Sequence, residues 1–174
     1  MRIASRGISP RGAAVTTQPD VSTNPFTLAI DQTAPGDSLV LGVTLHAGQP
    51  VVSVVDSNGQ AFTSANARAS LKGSATEIWY EPDAPPTTSV QIQLTGGSGY
   101  DVWVIEIANV HELDTVVTAT SADPPAPAVA QAMTTVPDEL VVGLTMLSSG
   151  DDVTTVMAPF TGLADTAAAT ATFY

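Results

Sequence analysis

The stretch GDSLVLGVTL at residues 36–45 decides the predicted fold. A turn at Pro35 and Gly36 comes first, and a nearly unbroken run of aliphatic and β-branched residues follows, which is the pattern of a buried strand. A near copy, PDELVVGLTML, occupies residues 137–147 and aligns with the first stretch without a gap. Two equivalent central strands, each with its own turn, predict two packed sheets with related halves.

Further strands are expected wherever apolar residues alternate or β-branched residues run together. They are predicted at residues 26–33, 51–55, 75–81, 89–95, 100–108 and 170–174. Asn58-Gly59 is typical of a hairpin turn, and residues 64–75 are predicted to form a long loop or a poor helix. The 13 prolines and 13 glycines are spread too evenly for long helices. The sequence therefore predicts an all-β, antiparallel β-sandwich.

The chain divides by composition into an arm and a body. Residues 1–24 lack apolar periodicity and are predicted to form an extended, basic N-terminal arm, whereas residues 25–174 are predicted to form the sandwich domain. The first eleven residues carry three arginines and no acid, while the rest of the chain carries all 17 acidic residues against two basic ones. Arg2, Arg6 and Arg11 are the predicted partner-binding residues of the arm. A disordered tail with incidental arginines is the alternative.

The charge and composition of the chain argue against several classes of partner. The chain after residue 11 has a net charge of −15 and repels nucleic-acid phosphates and anionic membranes. No apolar run approaches the roughly 18–20 residues that span a bilayer, and no apolar segment follows the basic start as in a secretory signal. The absence of cysteine excludes disulfides and thiolate metal sites. We expect no nucleic-acid or membrane partner.

The order of the turn and strand motifs resembles a known family. GDSLVLGVTL, VVSVVDSNGQAFT, TEIWYEPDAP, VWVIEIANV and PDELVVGLTML together resemble the jelly-roll-like β-sandwich domain of tailed-phage structural proteins, of the capsid-decoration and minor-tail type. The resemblance covers residues 26–174 and consists of packing and turn motifs. It implies a virion structural role and transfers no catalytic residue. That domain continues beyond a TATFY-like strand, so either the sandwich is complete at Tyr174 or an edge awaits a partner strand.

Four aromatic side chains are candidates for a ligand site or a protein interface, because aromatic anchors are enriched at both. They are Trp79, Tyr80, Tyr100 and Trp103. Since only one face of each strand is expected to be core, some of these rings are expected on the outer face.

Catalytic and metal sites are not predicted. His46 and His111 are the only histidines and lack the clustering that transition metals need, and the loop acids Asp151 and Asp152 offer only a weak calcium site. Glu77 and Glu81 flank Trp79 as glycosidase carboxylates would, but a single strand does not establish a cleft between them. We expect no enzyme activity, no metal and no cofactor.

These observations predict a structural protein on the outer surface of a virion, made in the host cytoplasm. Its expected partners are major capsid or tail subunits and sister copies in a homo-oligomer. The alternative is a carbohydrate- or receptor-binding β-sandwich module.

Overall fold

A computed structural model describes residues 9–45, 49–65, 68–71, 74–96, 99–108, 110, 112, 114–120, 142–146, 161–166 and 169–173, and these residues form β-strands joined by turns and loops. These residues contain no helix, and the all-β prediction is confirmed. The strands are β1 (Ser9–Val21), β2 (Phe26–Ala29), β3 (Asp37–Leu45), β4 (Val51–Asp56), β5 (Thr63–Ser64), β6 (Ala69–Leu71), β7 (Ser74–Ala84), β8 (Ser89–Leu94), β9 (Tyr100–Ala108), β10 (Val142–Met146), β11 (Thr161–Thr166) and β12 (Ala169–Phe173).

The strands form three sheets with antiparallel pairing throughout. The central sheet has the order β1-β9-β3-β7-β5, with β6 also paired to β7. The front sheet has the order β2-β8-β4, and the back sheet has the order β10-β12-β11. Strands that are neighbours in a sheet are mostly distant in sequence, so long-range pairing holds the fold together.

The main core lies between the central and front sheets. On β3, every second side chain from Leu39 to Leu45 faces this core, and each of them is almost completely buried. Val90, Ile92 and Leu94 of β8 face them from the front sheet, while Gln91 and Gln93 point to solvent. This alternation is the pattern of a sheet with one dry and one wet face.

The central sheet is also covered on its second face. All nine residues of β9 are buried, including Trp103, Ile105 and Ile107, which point away from the front sheet. In the back sheet, β10 contacts β7 and β11 contacts β1. The back sheet therefore spans the region of β3 and β9, and the central sheet is the middle of three layers. The predominance of apolar residues in β9, which is interrupted by the buried acids Asp101 and Glu106, is consistent with burial on both faces.

The repeated sequence motif forms strands in two different sheets. Residues 39–45 lie in β3, which is central in its sheet as predicted. The described part of the copy, Val142–Met146, is β10, which lies at the edge of the back sheet. The prediction of a second central strand is wrong on this point, because β12 from the C-terminal TATF segment takes the central place between β10 and β11.

The turn after β4 closes through its first residue, Asp56. Asp56 N donates to the Gln60 carbonyl at 2.9 Å, and Gly59 N donates to the Asp56 carbonyl at 3.1 Å. Gly59 has a φ of +82°, and Asn58 is not among the residues with positive φ. This combination is a three-residue hairpin loop with a glycine bulge. The hairpin prediction is confirmed, although the return strand makes only the Val55–Ala61 bridge before the chain reaches β5.

A close approach is made between Gly42 of β3 and Trp103 of β9, which are paired across the two strands. A Cβ atom on Gly42 would lie 2.0 Å from Cε2 of the Trp103 indole. Because the indole is 4% exposed and packed on all sides, it has little room to move away.

We expect Gly42→Ala to lower the free energy of unfolding by about 1–3 kcal/mol or more, the usual cost of overpacking a core. Chemical denaturation measures it. Gly96→Ala is the matched control, because its Cβ would meet only the Gln49 side chain at an ordinary 3.7 Å. When Trp103→Leu is added to Gly42→Ala, the double variant should lose less free energy of unfolding than the sum of the losses in the two single variants. Additive losses would contradict the contact.

Candidate functional site

The segment predicted as an N-terminal arm contains an edge strand of the central sheet. Residues Ser9–Val21 form β1, which pairs with β9 from Ser9↔Ala108 to Val21↔Tyr100. Arg11 lies in this strand, whereas Arg2 and Arg6 lie outside the described residues. The pairing is interrupted between Pro10 and Val15 and again between Gln18 and Val21, where β1 carries extra residues. The division into an arm and a domain at residue 24 stays a prediction.

The linker between β1 and β2 is fastened to the front sheet at one residue. The Asn24 side chain accepts a hydrogen bond from Leu94 N and donates one to the Leu94 carbonyl, both at 2.9 Å. This pair of bonds imitates a strand partner at the end of β8. The residues from Ser22 to Pro25 are exposed. The path of the chain into β2 is therefore fixed from Asn24 onward.

Tyr100 is a core residue that also holds this linker. Its side chain is fully buried, its hydroxyl donates to the Thr23 carbonyl at 3.0 Å, and its ring meets Phe26 edge-on at 6.4 Å between centroids. Burial raises the pKa of the phenol to about 12. The structure thus places this predicted interface residue inside the sandwich.

Trp103 likewise lies inside, between the layers on the second face of the central sheet. Its indole Nε1 is buried and has no hydrogen-bond partner among the described residues. Thr44 Oγ1, on the same face of neighbouring β3, has none there either. A buried donor without a partner costs roughly 1–3 kcal/mol, so the packing of the ring must compensate for it.

Trp79 and Tyr80 on β7 are half-buried. Trp79 packs against the edge of the main core, and its Nε1 donates to Glu77 Oε2 at 3.3 Å. Glu77 is 7% exposed and forms an ion pair with Arg68. The Trp79 ring is the part of this corner that offers an accessible face, because the carboxylate beside it is already paired.

Asp56 ties three segments together at one end of the sandwich. Its Oδ1 accepts hydrogen bonds from Asn58 N at 2.9 Å and Gln60 N at 2.6 Å, and its Oδ2 accepts from Asn58 Nδ2 and the Thr87 hydroxyl. Burial alone would raise the pKa of Asp56, but these hydrogen bonds outweigh it and hold the pKa below its ordinary value. The carboxylate fixes the hairpin turn to the β7–β8 loop.

Glu81 is a buried carboxyl group beside Asp56. It lies on the core face of β7, opposite Leu39, with only 5% of its surface exposed. Its Oε2 has no hydrogen-bond partner among the described residues. Burial, and secondarily the Asp56 charge, raise the pKa of Glu81 to about 7. The two carboxyl groups therefore differ in protonation near pH 6, with Asp56 ionised and Glu81 mostly neutral.

The sequence pattern did not identify this pair. Asp56 appears there as a turn residue, and Glu81 appears as one side of a hypothetical sugar site with Glu77. One sequence signal bears on Glu81: the alternation of side chains places Glu77, Trp79 and Glu81 on the same face of β7. That face is the core face, which register with β3 establishes and periodicity alone does not.

His46, His111, Asp151 and Asp152 lie outside the described residues. Within the part of the chain that the structure describes, no group of three or more histidines and acids is arranged to hold a metal ion. The described residues also include no helix of the length and apolar character needed to cross a bilayer.

Comparison with family models, with curated proteins and with solved structures finds no match for this chain. The resemblance to a phage structural domain therefore stays a prediction from sequence motifs.

We expect the free energy of unfolding to fall as pH rises from about 5 to 8. The reason is that folded Glu81 keeps its proton up to about pH 7, whereas the unfolded chain releases it near pH 4.3. Below the pKa that Glu81 has in the unfolded chain, Glu81 is protonated in both states and this loss of stability disappears. Glu81→Gln keeps the side-chain volume and removes the titration, so its stability should exceed that of wild type increasingly across this window.

Denaturant unfolding at several pH values measures this difference. Glu112→Gln, at an exposed glutamate, is the matched control and should follow the wild-type curve. A Glu81→Gln variant whose pH dependence matches that of wild type would show that Glu81 ionises normally in the folded protein.

Proposed function

We propose that this protein is a non-enzymatic structural component of a virus particle, a capsid-decoration or tail-associated protein on the outer surface. It binds neighbouring capsid or tail subunits and sister copies through its N-terminal arm and sandwich surface. Nucleic acid and membranes are not its partners. The order of strand and turn motifs supports this proposal through its resemblance to phage structural domains.

The observation that carries the proposal is the separation of charge along the chain. Three arginines stand in the first eleven residues, and the remaining chain has a net charge of −15. Exposed acids are distributed over the described surface at Asp31, Asp83, Glu112 and Asp114. A basic segment at the edge of an acidic body is complementary to the surface of a second such body.

Charge alone is too weak to hold subunits together. Exposed ion pairs contribute about 0–1 kcal/mol each, so three arginines supply at most about 3 kcal/mol. A complex with a millimolar dissociation constant already requires about 4 kcal/mol. The arm must therefore contribute backbone or apolar contacts in addition, and a strand such as β1 offers both.

The alternative, a carbohydrate-binding module, needs aromatic rings exposed to the ligand. Two of the four predicted aromatics, Tyr100 and Trp103, are buried, and Glu77 beside Trp79 is paired with Arg68. Of the four predicted aromatics, the half-buried Trp79 and Tyr80 are left for this function. These placements favour the structural role.

The test is to express the chain in the host during particle production and to measure its copy number in gradient-purified particles by mass spectrometry. We expect the wild-type chain to band with the particles. Arg2→Ser, Arg6→Ser and Arg11→Ser together should lower incorporation by about tenfold, since each ion pair contributes about 0.5 kcal/mol. These substitutions are preferable to deletion of residues 2–24, because deletion removes a strand of the sheet.

Lys72→Ser, which removes a basic residue outside the arm, is the control and should leave incorporation unchanged. Absence of the wild-type chain from particles would contradict the virion role. Undiminished incorporation of the triple variant would contradict the role of the arm. A glycan that binds reproducibly and is lost on Trp79→Ala would support the carbohydrate-binding alternative.

A further inference from the structure

We propose that β1 is exchanged between copies of this chain, so that the Ser9–Val21 strand of one copy pairs with β9 of another. This inference rests on the proposed function, in which the arm joins neighbouring subunits, and it names the partner as a second copy and the contact as strand pairing. The sequence of β1 already matches this contact, because every sister copy contains the same β9 strand with which β1 pairs in its own chain.

The acceptor is β9, a strand that requires cover along its edge. Its nine residues are buried on both faces, and its other edge is occupied by β3. Without β1, the edge of β9 would expose unpaired backbone groups beside buried apolar side chains, which is a template for another strand. An N-terminal strand from a second copy satisfies the same groups in the same register.

The donor strand, β1, lies at an end of the described chain and at an edge of its sheet. β1 is the first described strand of the chain and the last strand of the central sheet, with β9 as its only strand partner among the described residues. No other described segment has to pass around it if it leaves. Pro10 and Pro19 lack N–H groups, and two irregularities divide its pairing with β9 into short blocks. The strand is thus attached in pieces and can be transferred as a unit.

The pivot for the exchange lies at Ser22. On one side, Asn24 is fastened to both backbone groups of Leu94, and the Thr23 carbonyl accepts a hydrogen bond from Tyr100. On the other side, Val21 is the last residue of β1. A change of direction at the exposed Ser22 therefore redirects the whole strand and leaves the Asn24 and Thr23 hydrogen bonds in place. Val21 belongs to the main core, so Val21 of the second copy takes its place there.

Engineered disulfides test the exchange cleanly because the chain has no cysteine of its own. Thr16 and Val104 are directly paired between β1 and β9. The double variant Thr16→Cys/Val104→Cys is oxidised in full-length protein at low concentration and analysed on a non-reducing gel. Thr27→Cys/Gln91→Cys, an exposed pair between β2 and β8, is the matched control that no exchange of β1 alters.

We expect the Thr16–Val104 pair to give covalent dimers or larger closed oligomers, and the Thr27–Gln91 pair to give covalently closed monomers. Mixing Thr16→Cys chains with Val104→Cys chains during refolding should give heterodimers. Monomers only from the Thr16–Val104 pair would overturn the exchange, and so would the absence of any crosslink, because the proposal requires this register in every copy.

The result separates this inference from the proposed function. A chain that bands with virus particles and yet crosslinks Thr16 to Val104 only within one molecule would keep the virion role and overturn the exchange. A chain that exchanges β1 but is absent from particles would do the reverse.

Discussion

Burial of the central sheet on both faces is the constraint on which the rest of the structure depends. β9 and β3 carry the two apolar faces of one layer, and each face has its own sheet to cover it. A strand buried on both sides is rich in apolar and β-branched residues and free of proline and glycine, as residues 100–108 are, and its two acids, Asp101 and Glu106, are buried with it. It also explains why Gly42 is needed, since an indole occupies the space above it.

The same constraint shapes the edges and the ends of the sandwich. The central sheet is wider than the sheet in front of it, so part of β7 extends beyond that cover, where Trp79 and the Arg68–Glu77 pair form its margin. At the end of the core near the hairpin turn, Asp56 satisfies backbone donors that the turning chain leaves open. Glu81 shares that end, its Oε2 has no hydrogen-bond partner among the described residues, and burial raises its pKa to about 7, so it retains a proton up to near-neutral pH.

Much of the fold can be predicted from the sequence because the pattern of apolar residues along each strand indicates which of its faces are buried. Alternation in residues 89–95 gives β8 and its wet face, and the continuous run in residues 100–108 gives a central strand. What periodicity cannot give is pairing. The copy of the β3 motif resembles a central strand. Among the described strands, however, β10 pairs only with β12 and therefore lies at an edge of its sheet. Likewise, alternation groups Glu77 with Glu81, but only the register with β3 shows that both face the core.

The most direct test of this account is amide hydrogen exchange of the intact protein, followed by mass spectrometry of peptides from each strand. Strands buried on both faces and paired on both edges should open only with global unfolding. We therefore expect peptides within residues 100–108 and 37–45 to exchange slowest, and peptides from the largely exposed segment at residues 114–120, which lies outside the strands, to exchange far faster. Exchange of residues 100–108 as fast as that of residues 114–120 would contradict a central sheet enclosed between two others.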